Sequence, residues 1–525
     1  MPHDRRALKK HLAPPYVKPS SNALGIVMLF GVCMLLLAWY FNSTNYLTSS
    51  VILFVALGLI LIINSILLRF DFAQSFLIKY GIVMLKTKHF VKLIESISHF
   101  GKIFEIICLL GSILGFGLVG VDYWFGRKLG GWKRIAVLLV SAVILAVFFD
   151  TFCKILFSVP ILAPLYIPSL IGFVILGFGG MSLTILIGYG VLAVIGLFTQ
   201  KQLCPSVAPV IPGVEIPGMG VAIPLIGWVS LALVLIIHEA SHGVMMAYYR
   251  EKIKSVGLLV AGFLPLGAFV EQDDKTFEKL EDKKAIMVLS AGSASNLLMV
   301  AVAYILLIGF YMAVTPLAPS IEQEFNKTYD GVQIVKVSDK VSFCGIDANA
   351  PAKGKLFAKD IIKQVNGVDI NGIIVINQVF RDANGDINFT VERINPDTNL
   401  SSDVNVSVTP YKFEDLGIKR IGVEFGAIKT GYEPKGEIVL LQLIISNIGM
   451  ILTLVVIIGF AAGSFNYFPA NPFDGGRMAK IMLAPYFVFI GFNKEETGKL
   501  IGRIFIWLLI ISLTMNLIPY LTMFF

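Results

Sequence analysis

Residues 238–242 read His-Glu-Ala-Ser-His inside a run that is otherwise apolar, from Val221 to Ile237 before it and from Gly243 to Tyr249 after it. On a helix, His238 and His242 leave the same face about one turn apart. That spacing suits two imidazole nitrogens on one tetrahedral zinc, with Glu239 placed to take a proton from the attacking water. The alternative is a pair of histidines satisfied in a helix interface. The apolar setting weighs against it, because ionisable side chains at membrane depth are costly and usually functional.

Such a metal needs at least one more protein ligand, with a position left open for chemistry. Asp474 is the candidate. In the stretch Phe465–Lys480 an apolar span breaks at Asn466, Pro469 and Pro472, then presents this acid followed by Gly475-Gly476. Broken backbone at membrane depth is tolerated only against protein or a water-filled cavity, so Asp474 is expected to face the interior. The alternative is an acid capping a helix at the membrane surface.

The elements that must position these residues are membrane helices. Hydrophobic residues make up 56% of the 525-residue chain and charged residues only 15%, the balance of a polytopic α-helical membrane protein. The net charge of +8 sits mostly in short loops that orient spans and is no sign of nucleic-acid binding. The five cysteines, Cys33, Cys108, Cys153, Cys204 and Cys344, form no CxxC, which argues against disulfides and a thiolate site. Long apolar segments lie near 23–41, 50–68, 103–121, 135–157, 161–199, 222–248, 286–314, 439–463 and 503–524, and 470–492 reads as an intramembrane broken helix. The 161–199 segment is long for one span and short for two.

Arg5, Arg6, Lys9 and Lys10 put the N-terminus in the cytoplasm by the positive-inside rule. Counting 103–121 and 161–199 as one span each, the lysine-rich loops 69–102 and 249–285 fall inside and the hydrophilic stretch 315–438 outside. Asn-x-Ser/Thr sequons at Asn42, Asn326, Asn388, Asn399 and Asn405 all lie on that outer side. One loop disagrees: Arg127, Lys128, Lys133 and Arg134 land outside.

Residues 328–428 change character, with short β-branched runs separated by turn signals such as Asn366-Gly367 and Asn384-Gly385. A β-rich unit with one helical stretch, Lys355 to Val365, is expected there. Residues 1–205 carry no readable motif; Asp150 and Lys154 are four apart on an apolar helix and are expected to pair, with an ion pathway as the alternative.

The helix-borne His-Glu-Ala-Ser-His, the later segment Asn466–Gly476 with its Asn-x-x-Pro-x-x-Pro-x-Asp-Gly-Gly spacing, and the β-rich unit between them resemble the site-2 proteases, intramembrane zinc metalloproteases. The resemblance covers about 206–525, and the run Pro212-Gly213, Pro217-Gly218 and Pro224 resembles the archaeal branch. It implies one zinc held by His238, His242 and Asp474, with Glu239 as base. It also implies a membrane-associated sheet over 255–274, carrying Gly267 and Phe269, whose edge pairs with an unwound substrate. Ala291–Asn296 resembles the family's Ala-Gly-Pro-x-x-Asn signature, with Ser293 in place of proline. Asn296 is then a substrate or ligand-orienting contact, or helix–helix glue. Asn466 is a further candidate substrate contact.

The inserted unit resembles a PDZ domain through Lys353–Leu356 and Asp360–Gly367. A peptide ligand, a size filter and a plain spacer are its readings.

The implied organisation is an accessory bundle over 1–205, a protease core over 206–318 and 433–525, and an extracytoplasmic PDZ-like domain over 319–432. The implied activity is hydrolysis of a peptide bond within or beside a transmembrane segment of a membrane protein, in the lipid bilayer. A pseudoprotease that escorts membrane helices is the alternative, and Glu239 argues against it. A transporter would leave His238, His242 and Asp474 without a reason to coexist.

Overall fold

The computed structural model describes residues 21–519 except 44–47, 72, 77–80, 157–164, 200–206, 208–210, 214, 217–220, 263, 273–276, 278, 344–345, 371–375, 377–384, 395–399, 414–417 and 488–493. The basic N-terminal lead-in with Arg5, Arg6, Lys9 and Lys10, two of the cysteines (Cys204, Cys344), the Pro217-Gly218 pair, the turn at Asn384 and the sequon at Asn399 lie outside the described residues.

The apolar segments form helices: α1 (Ser21–Ser43), α2 (Thr48–Leu67), α4 (Gly101–Trp124), α5 (Gly131–Leu156), α6 (Tyr166–Thr199), α7 (Gly227–Tyr248), α8 (Asp282–Val314), α9 (Gly436–Phe465) and α11 (Lys494–Asn516). A short amphipathic α3 (His89–Ile97) precedes α4, and α10 (Asp474–Met482) lies between α9 and α11. Among the described residues, seven helical stretches are long and apolar enough to cross a bilayer. The protein is a polytopic helical membrane protein with a separate β-rich unit.

Two of these stretches are not through-going. In α4, Gly117 has φ 54° and ψ −132°, a conformation that favours glycine. The chain folds back there. Trp124 Nε1 donates to Ser112 Oγ at 2.8 Å, although twelve residues of straight helix would separate them by about 18 Å. In α6 the break is at Leu176-Gly177, where Gly177 has φ 57°. Leu165 packs on Gly188, a pair that a straight helix would hold about 34 Å apart. Both are helical hairpins, and their tips touch: a Cβ on Gly117 would fall 2.5 Å from the Val174 carbonyl, and one on Gly177 would strike the backbone of Leu114 to Phe116.

The hairpins enter from opposite ends. The mouth of the first lies by Tyr248, against which Gly101 packs. Arg127 beyond its returning arm donates to the Met482 carbonyl at 2.6 Å, at the end of α10. Lys480 of α10 lies over Gly502, near the start of α11. The other end of α11 meets the second hairpin, with Asn516 donating to the Leu186 carbonyl at 2.8 Å. Five aromatic rings, Phe149, Phe152, Phe173, Phe178 and Phe460, pack around the second tip with centroids 5.0–5.7 Å apart for their closest pairs.

This corrects the count of 103–121 and 161–199 as single spans. The apolar content of a hairpin equals that of a span, so hydropathy does not separate them. The glycines do: Gly117, Gly172, Gly177 and Gly180 supply the turns and the bare surfaces on which arms close. Because α4 returns, residues 125–134 come to the end at which α4 began, and the disagreement over the basic loop disappears. Arg134 also makes paired bonds of 2.7 and 2.6 Å to buried Asp122, which accepts from the Tyr486 hydroxyl as well. The Lys154–Asp150 pair forms at 2.6 Å, with Tyr166 donating to the same carboxylate at 2.7 Å.

Strands β1 (Ala73–Phe76) and β2 (Ile82–Thr87) follow α2, and β3 (Ile253–Ala261) and β4 (Leu264–Gln272) follow α7. They make one antiparallel sheet, β1-β2-β3-β4, with Leu85 opposite Leu258. Two loops distant in sequence thus share one end of the bundle. Among the described residues, strand β4 is the edge of the sheet beside α7.

The β-rich unit comprises β5 (Tyr329–Val337), β6 (Ile361–Val365), β7 (Ile387–Ile394), β8 (Ser401–Val408) and β9 (Val423–Lys429), ordered β8-β7-β6-β5-β9 and antiparallel throughout. Alternate side chains such as Ile387, Phe389 and Val391 are buried, as period-two patterning requires. The helix expected over Lys355–Val365 is absent. Residues 351–359 are turns, with Gly354 and Lys359 at φ 74°, and 361–365 is a central strand. Ile362 and Val365 are its buried positions. The bidentate pair Arg393–Asp360 (2.8 and 2.6 Å) joins the turn to β7. The sequon residues Asn326, Asn388 and Asn405 are exposed.

In a variant with Cys33, Cys204 and Cys344 replaced by serine, cysteines placed at Lys128 and at Lys88 are expected to react with a membrane-impermeant thiol reagent from the same side, and one at Asn388 from the other. Labelling of Lys128→Cys from the Asn388 side would mean that α4 crosses.

Candidate metal centre

Buried positions on α7 recur at Gly227, Ser230, Val234, His238, Ser241 and Met245, every three or four residues. His238 therefore lies on the packed face and His242 at its margin. Asp474 opens α10, after a loop that leaves α9 at Asn466. Gly475 N–H closes that loop by donating to the Asn466 carbonyl at 2.7 Å.

The three candidate ligands meet. His238 Nε2 and His242 Nε2 are 3.2 Å apart, and Asp474 Oδ2 lies 3.4 Å from the first and 3.2 Å from the second. Donors about 2.05 Å from a common ion at tetrahedral angles lie about 3.3 Å apart. The triangle is the size of one face of a zinc tetrahedron, and the donor set, two imidazoles and a carboxylate, suits that ion. Among the described residues this is the one group of three such donors close enough to share an ion.

The imidazoles are oriented from behind. His242 Nδ1 donates to the Val288 carbonyl at 2.7 Å, which leaves its Nε2 lone pair toward the centre. The Asn296 amide lies 3.1 Å from His238 Nδ1. With the amide oxygen turned to the ring, Nδ1–H donates, His238 Nε2 is free to bind a metal, and the buried Oδ1 otherwise without a partner is satisfied. Both supports come from α8, whose stretch 285–296 is wholly buried. Gly292 faces the pair directly: a Cβ there would sit 2.5 Å from His242 Nε2 and 2.6 Å from His238 Nε2. The glycine leaves space that an ion held by these nitrogens would need.

Glu239 projects on the next face of α7, where its Oε2 accepts the Val270 N–H of edge strand β4 at 3.1 Å. A cavity of about 640 Å³ contains the centre, lined also by Phe269, Asn296, Asn466 and Arg477. Gly267 is buried in the strand pairing opposite Leu259 and does not line it. Asn466 lines the cavity while its Nδ2 donates to the Ala462 carbonyl at 3.0 Å, capping α9.

Sequence reasoning missed Val288 and Gly292. The signal was the run Ala291-Gly292-Ser293-Ala294-Ser295, since small residues in a membrane helix mark close approach by its neighbours. It also missed Tyr467, wholly buried beneath the Asp474 loop.

Asn296→Leu is expected to lower zinc affinity by about 10–100-fold, the usual effect of losing a ligand's hydrogen-bond partner, while Asn296→Asp retains most of it. A competition titration against a chromophoric chelator measures both, and equal affinities would remove Asn296 from the centre's support.

The sequence model for "Peptidase family M50" matches residues 226–509, more than half of the chain, and this interval holds both histidines, Glu239, the β-rich unit and Asp474. An uncharacterized protein of Methanocaldococcus jannaschii is 32% identical over 155 residues, covering 29% of this chain and 35% of that protein, so the chain spans about a third of the length of the curated relative it matches. With a family match over this length and the three candidate ligands converging as described, the chain belongs to peptidase family M50, the site-2 protease family.

Proposed function

We propose that the protein is a zinc-dependent intramembrane endopeptidase that hydrolyses a peptide bond within or next to a transmembrane segment of a membrane protein. The single observation that carries this reading is the donor triangle of His238, His242 and Asp474, 3.2–3.4 Å on its edges, with Glu239 on the same helix beside it.

Zinc, when bound, supplies a Lewis acid that polarises a carbonyl and lowers the pKa of water toward about 7. The remaining work falls to the chain. Glu239 takes the proton of the attacking water on a carboxylate oxygen and returns it to the departing amine nitrogen. The Val270 N–H holds that carboxylate in place. Helical substrate is internally hydrogen-bonded and must unwind before attack. Edge strand β4 offers backbone groups to the unwound segment, and Phe269, Asn296 and Asn466 line its path.

The sidedness we propose is an N-terminus in the cytoplasm and the β-rich unit, a PDZ-like domain that takes a peptide or filters substrates, on the outer side. It is supported by the two hairpins. One opens to each end, so replacing both spans by hairpins leaves later loops on their original sides, while the basic residues 127–134 move to the inner side with the other cation-rich loops. The pseudoprotease reading has no observation in its favour, since Glu239 is retained and oriented.

Purified protein in detergent is expected to cleave a tagged single-span substrate and to lose cleavage by at least about 10³-fold in Glu239→Gln and on chelation. Undiminished cleavage by Glu239→Gln would remove Glu239 as the base. Stoichiometric zinc without cleavage of any tested span would favour the pseudoprotease.

A further inference from the structure

We propose that Tyr467 is a positioning residue for the metal centre, clamped by the tips of the two helical hairpins so that its carbonyl sets the place of Gly475 and hence of the Asp474 carboxylate. The proposal rests on the zinc reading above and adds to it a task for the accessory helices α4 and α6, to which no motif assigned one.

Tyr467 is fully buried. Its ring lies on Gly115 of α4, and a Cβ on Gly111 would fall 2.7 Å from its hydroxyl. That hydroxyl pairs with Ser290 Oγ at 2.9 Å, and Ser290 donates to the Cys108 carbonyl at 3.0 Å. The ring is thereby locked between α4 and the same α8 that orients both histidines. The backbone of Tyr467 is held as closely. A Cβ on Gly179, two residues past the tip of the second hairpin, would strike its carbonyl oxygen, and so would one on Gly475. Four glycines from three separate segments thus leave room for this one residue.

The geometry has a direction. Asp474 is the residue before Gly475, and Gly475 rests on the Tyr467 carbonyl while its N–H is tied to Asn466. A displacement of Tyr467 is passed to Asp474 across one residue. The histidines have their own supports on α8, at Val288 and Asn296. Tyr467 supplies the corresponding support for the third candidate ligand, which stands at the first residue of α10, straight after a loop. The tips give that support stiffness, because Gly115 and Gly179 lie beside the mutual contact of Gly117 and Gly177. Two hairpins pressed together from opposite ends resist movement along the bundle axis better than either alone.

The test uses the full chain in detergent and reads the metal rather than turnover: zinc affinity by chelator competition, and the visible absorption of the cobalt-substituted protein, which reports ligand geometry. Gly179→Ala drives a methyl at the Tyr467 carbonyl and is expected to lower zinc affinity by about 10–100-fold and to change the cobalt spectrum. Tyr467→Phe adds no atoms, loses only the Ser290 bond, and is expected to cause a smaller loss with a shifted spectrum. Gly309→Ala, at a position with open space, should leave both unchanged. A folded, monodisperse Gly179→Ala with wild-type affinity and spectrum overturns the proposal. If Gly179→Ala does not fold, Tyr467→Phe decides, and an unchanged affinity and spectrum overturns it equally. Wild-type protein that binds no zinc would instead overturn the zinc reading, and this proposal with it.

Discussion

Three ionisable side chains from two distant segments are held within 3.4 Å of one another inside an apolar bundle, and the rest of the structure is arranged around that constraint. Charged and polar groups at such depth are costly unless each is partnered. The two histidines satisfy this through ring nitrogens turned to α8, and they use the regularity of α7 to present the other nitrogens in register. The aspartate has no such option. It must come from a second segment, and it must approach the pair closely enough that a helix N-terminus reached through a loop, rather than a helix side, carries it in.

A loop at membrane depth brings its own demand, since each free backbone N–H and C=O in hydrocarbon costs several kcal/mol. The stretch between α9 and α10 meets it locally, with Ala470 N–H donating to the Phe468 carbonyl, Phe473 to Ala470, Gly475 to Asn466 and Gly476 to Phe473. Two prolines, Pro469 and Pro472, remove two donors altogether. The loop is also walled off by the hairpins, whose own breaks at Gly117 and Gly177 would be exposed to lipid if they did not abut each other. Three interruptions that would each be unfavourable alone are gathered in one place, where each covers another.

How much of this was legible depended on whether a residue's task was chemical or steric. His238, Glu239, His242 and Asp474 were readable because their types are rare in apolar runs and their spacing has few uses. The helices were readable from hydropathy. The hairpins were not, because Gly117 has no local pattern distinguishing it from the other glycines of α4, and its role appears only when Gly177 is placed against it. The strand over Ile361–Val365 was misread as helix for a related reason. Ile361, Ile362 and Val365 fit a helical spacing of one, three and four as well as they fit a bulged strand, and the bulge between Ile362 and Gln364 is set by the partner strand. Asn296 was singled out by resemblance, but that it supports His238 while lining the cavity follows from the approach of α8 to α7.

Packing in a bilayer explains why glycine, rather than any larger residue, carries so much of this. Lipid tails are as apolar as leucine, so burial of bulk gives helices little reason to associate, and close backbone approach with its dispersion and polar contacts must serve instead. Gly292 against the histidines, and Gly115 and Gly179 against Tyr467, are all places where one methyl would push neighbouring elements apart. The convergence of the three candidate ligands therefore depends on positions that carry no chemistry at all. A reading confined to titratable residues describes the donor triangle, whereas the absence of side chains at these glycines describes why those donors converge.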